Sequence, residues 1–335
     1  MVISRTPFRI SFFGGGTDYP AWYRKNGGSV LATTINKYCY LNARYLPPFF
    51  DHKYRIAYSK IESCQSIDEI HHPSVREILR FLKVKQGLEL HHDGDLPARS
   101  GLGSSSAFTV GLLHALYALG GHMPNKRKLA KESIYLEQKV LKETVGSQDQ
   151  VLAAYGGFNL ITFHKYGEIT LKPMTVSSKR IEELQDNLVL FYTGIARTAS
   201  DIAKSYVTDI NKQKRQLDLL QKLVEKAFTL VNSKQDIKDF GKLLNEAWEI
   251  KRSLSSSVSN SKIDKLYKRA LSCGALGGKL IGAGGGGFLL LFVPPSHQAK
   301  IRKEFNKLIY VPFKFEHEGS QIIFYEPEED YSFFK

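Results

Sequence analysis

Residues 97–116 read PARSGLGSSSAFTVGLLHAL, a run of glycine and serine that opens directly into apolar residues at helical spacing. A junction of this kind suits an anion. Gly101 and Gly103 permit backbone conformations and close approaches that a Cβ would block. Ser104, Ser105 and Ser106 place hydroxyls beside the unpaired N–H groups of a helix's first turn. Phosphate is the expected guest. An ordinary serine-capped helix is the alternative, since serine is a favoured N-cap residue, but one serine would suffice for that. The run is not a Walker A loop, because no lysine follows the glycines, and not a dinucleotide fingerprint, because position 106 is serine. Backbone, hydroxyls and a metal would have to hold the phosphates.

The rest of the chain predicts what surrounds this junction. At 335 residues it is long enough for one large or two ordinary domains, and 42% hydrophobic residues suffice for a packed core. No early stretch has the order of a signal peptide, and the longest apolar runs, such as FLLLFV at 288–293, are strand-sized, so no membrane partner is expected. Cys39, Cys64 and Cys273 lie far apart and form no CxxC pair, which suggests neither disulfides nor a cysteine zinc site and fits a cytoplasmic location. The net charge of +14 attracts anions of any kind. Its lysines and arginines are mostly mixed with acids and apolar residues at helical spacing, as on a solvated face. No aromatic-rich RNA-binding signature, zinc-finger spacing or basic tail is present, so nucleic acid is not the expected partner.

β-Branched and aromatic residues at 3–13, 29–46 and 54–59 predict strands. A helix over 74–84, a strand at 88–97 and helices over 104–119 and 126–145 follow, the last opened by Asn125 behind Pro124. Strand patterns return at 158–174 and 188–194, helical spacing runs over 198–268, and the end alternates again, with a terminal strand near Ile322. This interleaving predicts an α+β protein of two domains meeting near 165–185, with a cleft between them.

Three further segments carry candidate chemistry. RTPFRISFFGGGTDYP at 5–20 joins a strand containing Arg9 to a triple-glycine turn and then to Thr17, Asp18 and Tyr19. Glycine and aspartate are ordinary turn residues; three glycines also admit a ligand to the backbone, and Asp18 suits sugar hydroxyls. YLEQKVLKETVGSQDQ at 135–150 sets Glu137 on a helix and Asp149 just past Gly146, which is placed to end it. Either acid alone reads as a surface or turn carboxylate. Together they offer what a kinase needs, one carboxylate for magnesium and another near the attacking hydroxyl. In KLIGAGGGGFLLLFV at 279–293, Gly282, Gly284 and Gly287 match GxGxxG by count, but a strand follows where a dinucleotide fold requires a helix. A glycine turn between buried strands, set against the ligand loop, explains it better. In HHDGD at 91–95, adjacent strand residues point to opposite faces, so His91 and His92 are not expected to share an ion.

Taken together and in this order, the segments resemble the GHMP kinases (galactokinase, homoserine, mevalonate and phosphomevalonate kinases), with 7–19, 97–107 and 278–288 similar to the family's three motifs. The resemblance implies the GHMP kinase two-domain fold: an α+β N-terminal, ATP-binding domain over 1–175 and a ferredoxin-like C-terminal domain over 176–335, whose last strand is free to return to the first. It implies ATP and Mg2+ as cofactors. ATP would be held by Pro97, Gly101, Leu102, Gly103, Ser104, Ser105, Ser106 and Ala107. Asp149 stands where galactokinases have their catalytic aspartate and Arg9 where they place an arginine beside it. Glu137 stands at the magnesium-binding glutamate and Ser105 at the metal-side serine, with Ser104 or Ser106 as substitutes. Gly15, Gly16, Thr17, Asp18, Gly284 and Gly285 would meet the substrate.

Within the family, the string from Phe12 to Tyr19 is similar to that of the heptose 7-phosphate kinases, which phosphorylate the anomeric hydroxyl of D-glycero-D-manno-heptose 7-phosphate. Galactokinases carry a Glu-His pair where this chain has Gly15 and Gly16, so the site would be larger. The implied reaction gives the 1,7-bisphosphate, in nucleotide-activated heptose biosynthesis. A sugar that already bears phosphate needs a cationic pocket, for which Arg197 is the first candidate, with Arg99 and Lys37 behind it. Partners would be a small-molecule sugar phosphate and ATP, with the oligomeric state, a homodimer included, left open. The alternatives are another sugar kinase of the family, acting on fucose, galactose or unphosphorylated heptose, and a silent sugar-binding regulator.

Overall fold

Two long antiparallel strands, β1 (Val2–Phe13) and β2 (Gly28–Tyr45), begin the chain, joined through the glycine turn and helix α1 (Pro20–Asn26). They are followed by the hairpin β3 (Tyr54–Ala57) and β4 (Ile61–Cys64), helix α2 (Pro73–Phe81) and strand β5 (Leu88–Gly94). Helices α3 (Ser104–Leu119), α4 (Lys126–Tyr135) and α5 (Gln148–Tyr155) come next, then the hairpin β6 (Phe158–Phe163) and β7 (Ile169–Pro173). After α6 (Ser178–Asp186) and β8 (Leu188–Tyr192) stand four helices, α7 (Ala199–Val207), α8 (Lys214–Val231), α9 (Lys238–Arg252) and α10 (Ser261–Ser272). The chain closes with β9 (Gly277–Leu280), β10 (Phe288–Phe292), α11 (Pro295–Glu304), β11 (Ile309–Tyr310), β12 (Phe315–Glu316) and β13 (Gln321–Tyr325). This computed structural model describes residues 1–98, 100–195 and 199–327; Arg99 and Arg197 lie outside the described residues.

The strand β2 is the spine of a nine-stranded sheet. Its first part pairs with β6 and its second with β5, while β1 runs along its other edge. From Thr6 onward β1 is buried at every residue, Arg9 and Ser11 included, so both of its faces are covered. Helices α3 and α5 pack on β1 and β2, and α8 and α9 also reach β1. The α3 sequence is apolar nearly all round and accordingly buries most of its residues, as a helix enclosed by other elements must.

A second sheet, of four antiparallel strands in the order β11-β8-β10-β9, is built by the C-terminal part. With its helices this is the ferredoxin-like β-α-β-β-α-β arrangement. The two parts meet on aromatic side chains. Phe12 packs edge-on against Phe240 of α9 at 5.4 Å and against Phe158 at 5.8 Å, and Phe13 meets Phe240 at 5.1 Å. Such pairs contribute roughly 0.5–1.5 kcal/mol each beyond their burial. The Phe12-Phe13 pair thereby fixes the glycine turn that follows it at the junction.

One predicted element is broken. The helix expected over 126–145 stops at Tyr135, passes into a π turn over Leu136–Val140 and then unwinds, with Lys142 in the left-handed region at φ 54°. The Gln138 amide donates to the carbonyls of Val145 and Gly146 and to the Ser147 hydroxyl, replacing helical bonds with loop contacts. Gly146 therefore does not end this helix, and Asp149 lies in the first turn of α5 instead of in a loop. Among the described residues no helix is long and apolar enough to cross a membrane.

Candidate active site

The glycine-serine loop ends in Gly103, which caps α3 in the left-handed conformation and, having no side chain, makes no capping bond to the first-turn N–H groups. These donors and the helix dipole face the cleft mouth, an arrangement suited to phosphate. Gly101, Gly103, Ser104 and Ser105 line the cleft there. The loop is held from behind by the other glycine turn: a Cβ on Gly101 would stand 2.4 Å from the Ile281 carbonyl oxygen.

Arg9, from β1, joins three pieces of the site. Its Nε and one terminal nitrogen donate to the two oxygens of Asp149 at 2.7 and 2.6 Å, and the other donates to the Gly101 carbonyl at 2.6 Å. Bidentate pairing fixes the carboxylate's plane, and the N-terminal turn of α5 adds favourable dipole. Asp149 remains partly exposed to the cleft while Arg9 is buried.

The opposite wall is the triple-glycine turn. Gly15, Gly16, Asp18 and Tyr19 line it, with Ser11 and Gln148 beside them. Asp18 is buried and accepts from the Gly16 N–H at 2.9 Å. Burial above all, and the nearby Asp149, push its pKa up from the ordinary carboxylate value, against the Gly16 hydrogen bond. Ser11 Oγ and Gln148 Oε1 are buried and have no hydrogen-bond partner among the described residues. A wall of backbone, a carboxyl, a hydroxyl and an amide suits sugar hydroxyls.

Glu137 lies behind this surface. It is fully buried and accepts from Ser106 Oγ at 2.9 Å and from the Gln150 amide, and among the described residues its Oε1 has no hydrogen-bond partner. Burial, with Glu143 adding to it, pushes its pKa up to about 8. An orphaned carboxylate oxygen next to serine hydroxyls fits a hard divalent cation. Among the described residues no three His, Cys, Asp or Glu side chains gather around one point, so such an ion would take most of its ligands from phosphate and water.

Several expected site residues do other work. Ser106, not Ser105, touches Glu137, because α3 turns Ser105 outward toward the cleft. Thr17 is buried and its hydroxyl lies between the carbonyl oxygens of Gly14 and Ser29, at 2.8 and 2.9 Å, sharing its one proton between them and pinning the turn. Leu102 and Ala107 are core residues, although the Leu102 carbonyl accepts from the Arg9 N–H at 3.0 Å, and Pro97 is exposed away from the cleft lining. Gly284 and Gly285 pack against Val258 and Ile202, while Gly282 and Ala283 line the cleft. Lys37 does not line it either. Arg197 is outside the described residues.

Two residues at the cleft floor escaped the sequence reading. Lys251 of α9 and Lys279 of β9 are both buried there, donating to the carbonyls of Gly282 and Phe12 respectively. Each had a signal. Lys251 falls on the buried stripe of α9 with Leu244, Ala247 and Trp248, and Lys279 is the single charge in a glycine and apolar run over 274–293.

The family model for the GHMP kinases N terminal domain matches residues 72–157, and that for the GHMP kinases C terminal matches residues 220–311. A Campylobacter jejuni protein named D-glycero-alpha-D-manno-heptose 7-phosphate kinase is 31% identical over 316 residues, 91% of this chain and 93% of its own. An Arabidopsis thaliana bifunctional fucokinase/GDP-fucose pyrophosphorylase is 26% identical over 88% of this chain, which corresponds to 30% of that larger protein. The crystal structure of a D-glycero-D-manno-heptose 1-phosphate kinase from Bacteroides thetaiotaomicron superposes with a TM-score of 0.78 at 23% identity, covering 97% of this chain and 100% of that one. The chain belongs to the GHMP kinase family and is a phosphotransferase of the sugar kinase type.

Proposed function

We propose that this kinase transfers the γ-phosphoryl group of ATP to the anomeric C1 hydroxyl of D-glycero-D-manno-heptose 7-phosphate, giving the 1,7-bisphosphate used in nucleotide-activated heptose biosynthesis. The observation that carries the reading is the full-length likeness to the Campylobacter protein named for that substrate. The wall at Gly15 and Gly16 supports it, since bare backbone leaves room for a seven-carbon sugar.

Phosphoryl transfer passes through a loose transition state, so the protein's contribution is positioning and charge neutralisation. The loop from Gly101 to Ser105 would hold the nucleotide phosphates through N–H groups and hydroxyls. Asp18, Ser11 and Gln148 would orient the sugar. Asp149 would accept the proton of the C1 hydroxyl at a carboxylate oxygen, with Arg9 holding that carboxylate in one orientation. Glu137, with Ser106 or Ser105, would hold Mg2+, which when bound neutralises charge on the phosphates.

A second reading, phosphorylation of L-fucose or another free sugar, draws on the likeness to a fucokinase. A coupled ADP-release assay over heptose 7-phosphate, free heptose, fucose, galactose and mannose separates the two. Turnover with heptose 7-phosphate well above the rest is expected; activity confined to an unphosphorylated sugar would overturn the proposal.

A further inference from the structure

Lys251 and Lys279 have no part in the chemistry assigned above, yet they stand in the floor of the same cleft, 6% and 4% exposed. Each ammonium donates one hydrogen bond to a backbone carbonyl, Lys279 to Phe12 at 2.8 Å and Lys251 to Gly282. Two further donors remain on each. Among the described residues no carboxylate lies within ion-pair distance of either: Asp149 is engaged by Arg9, and Asp18, though felt by both lysines, forms no ion pair with them.

The lysines also oppose each other. Burial first, then Lys251 and Arg9, draw the Lys279 pKa well below its ordinary value, and burial followed by Arg9 brings Lys251 to about 8. Two buried ammonium groups without a counter-ion are costly to keep. A neutral sugar, offering only hydroxyls, would not offset that cost. A phosphomonoester would, since it brings nearly two negative charges and three acceptor oxygens. The nucleotide's phosphates have their own cradle at the start of α3, whereas Lys279 is tied to Phe12, where β1 enters the glycine turn of the sugar-facing wall.

Resting on the heptose 7-phosphate reading, we propose that Lys251 and Lys279 form the subsite that receives the phosphate the sugar already carries. The structure thus supplies from the C-terminal unit the cationic pocket sought in Arg197. The substrate would thereby bridge both units, its phosphate on α9 and β9 and its reacting hydroxyl at Asp149.

The test is steady-state kinetics of the wild type, Lys251→Met and Lys279→Met with heptose 7-phosphate and with free heptose, ATP being varied separately. A charge-assisted contact of this kind corresponds to roughly a 10- to 100-fold loss on removal. Each variant is expected to lower the kcat/KM ratio of phosphorylated to free sugar by that factor, through KM for the phosphorylated sugar, with KM for ATP little changed. Equal losses of kcat on both sugars, with KM for heptose 7-phosphate unchanged, would place the lysines on the transferred phosphoryl group and overturn the proposal, as would a rise confined to KM for ATP. A wild type that does not prefer the phosphorylated sugar refutes the substrate reading instead, before any variant is measured. If a methionine variant does not fold, the glutamine variant, which removes the charge and keeps a donor for the carbonyl, takes its place with the same expectation.

Discussion

Gly282 stands against Gly101 backbone to backbone, so that a Cβ on Gly282 would lie 2.5 Å from the Gly101 Cα. Both residues have positive φ, 81° and 89°. In Gly282→Ala the collision is with main chain, which cannot swing aside as a side chain does. Strain at a left-handed position alone costs of order 1–3 kcal/mol. Urea unfolding should therefore show a loss of about that size or more, with KM for ATP raised because the phosphate loop is displaced. Unchanged stability would mean that the two turns are not in contact.

Gly15 gives the opposite case. It lacks a positive φ, and an added Cβ would meet only Gln148 Nε2 and Ser11 Oγ, both at 3.9 Å. Gly15→Ala should leave stability within about 0.5 kcal/mol while intruding on the sugar-facing wall. A raised KM for the sugar with unchanged KM for ATP is expected from two-substrate kinetics. An unchanged sugar KM would remove Gly15 from the substrate wall.

Asp149→Asn keeps the size of the side chain and its place at the start of α5 but weakens it as a proton acceptor. General-base catalysis contributes typically about 100- to 10,000-fold, and kcat should fall within that range. Nucleotide affinity, measured by titration calorimetry, should stay close to wild type if the loop holds the phosphates as proposed. A near wild-type kcat would show that positioning alone sustains transfer.

The Glu137 carboxyl, raised by burial to about 8, binds more protons in the folded than in the unfolded state between about pH 4.5 and about pH 8. Stability therefore falls as pH rises through that window and levels off above it. Glu137→Gln cannot ionise, so in the presence of a chelator its melting temperature should exceed that of the wild type by a margin that widens up to about pH 8. Its turnover should nevertheless be reduced through loss of the cation ligand proposed above. Parallel melting curves across the window would contradict the buried, cation-free carboxyl.

The parts of this molecule that depend on local pattern were legible in the sequence. The helix over Ser104–Leu119 follows from serine and glycine running into apolar residues, and β1 from its β-branched and aromatic residues. The parts that depend on distant contacts were not. Apolar spacing continues past Tyr135, while the Gln138 amide bonds to the loop and Lys142 turns left-handed where the helix unwinds. A run of glycines carries no side-chain phase, so nothing local distinguishes Gly282, on the cleft, from Gly284 and Gly285, packed on the loop that contains Val258. The lysines were visible as charges on apolar faces, but their common position required α9 and β9 to be brought to the end of β1.

The pairing of β13 with β1 has a consequence for how the chain is made. Strand β1, made before β13, finds its outer partner only in residues 321–325, and the Met1 amino group bonds to the Glu326 carbonyl at 2.7 Å. Until those residues emerge, that edge of the large sheet is an open row of donors and acceptors, the kind of edge that recruits strands from other chains. Release of a nascent chain shortened before β12 should yield an aggregating product even though nearly every residue of the active site is present.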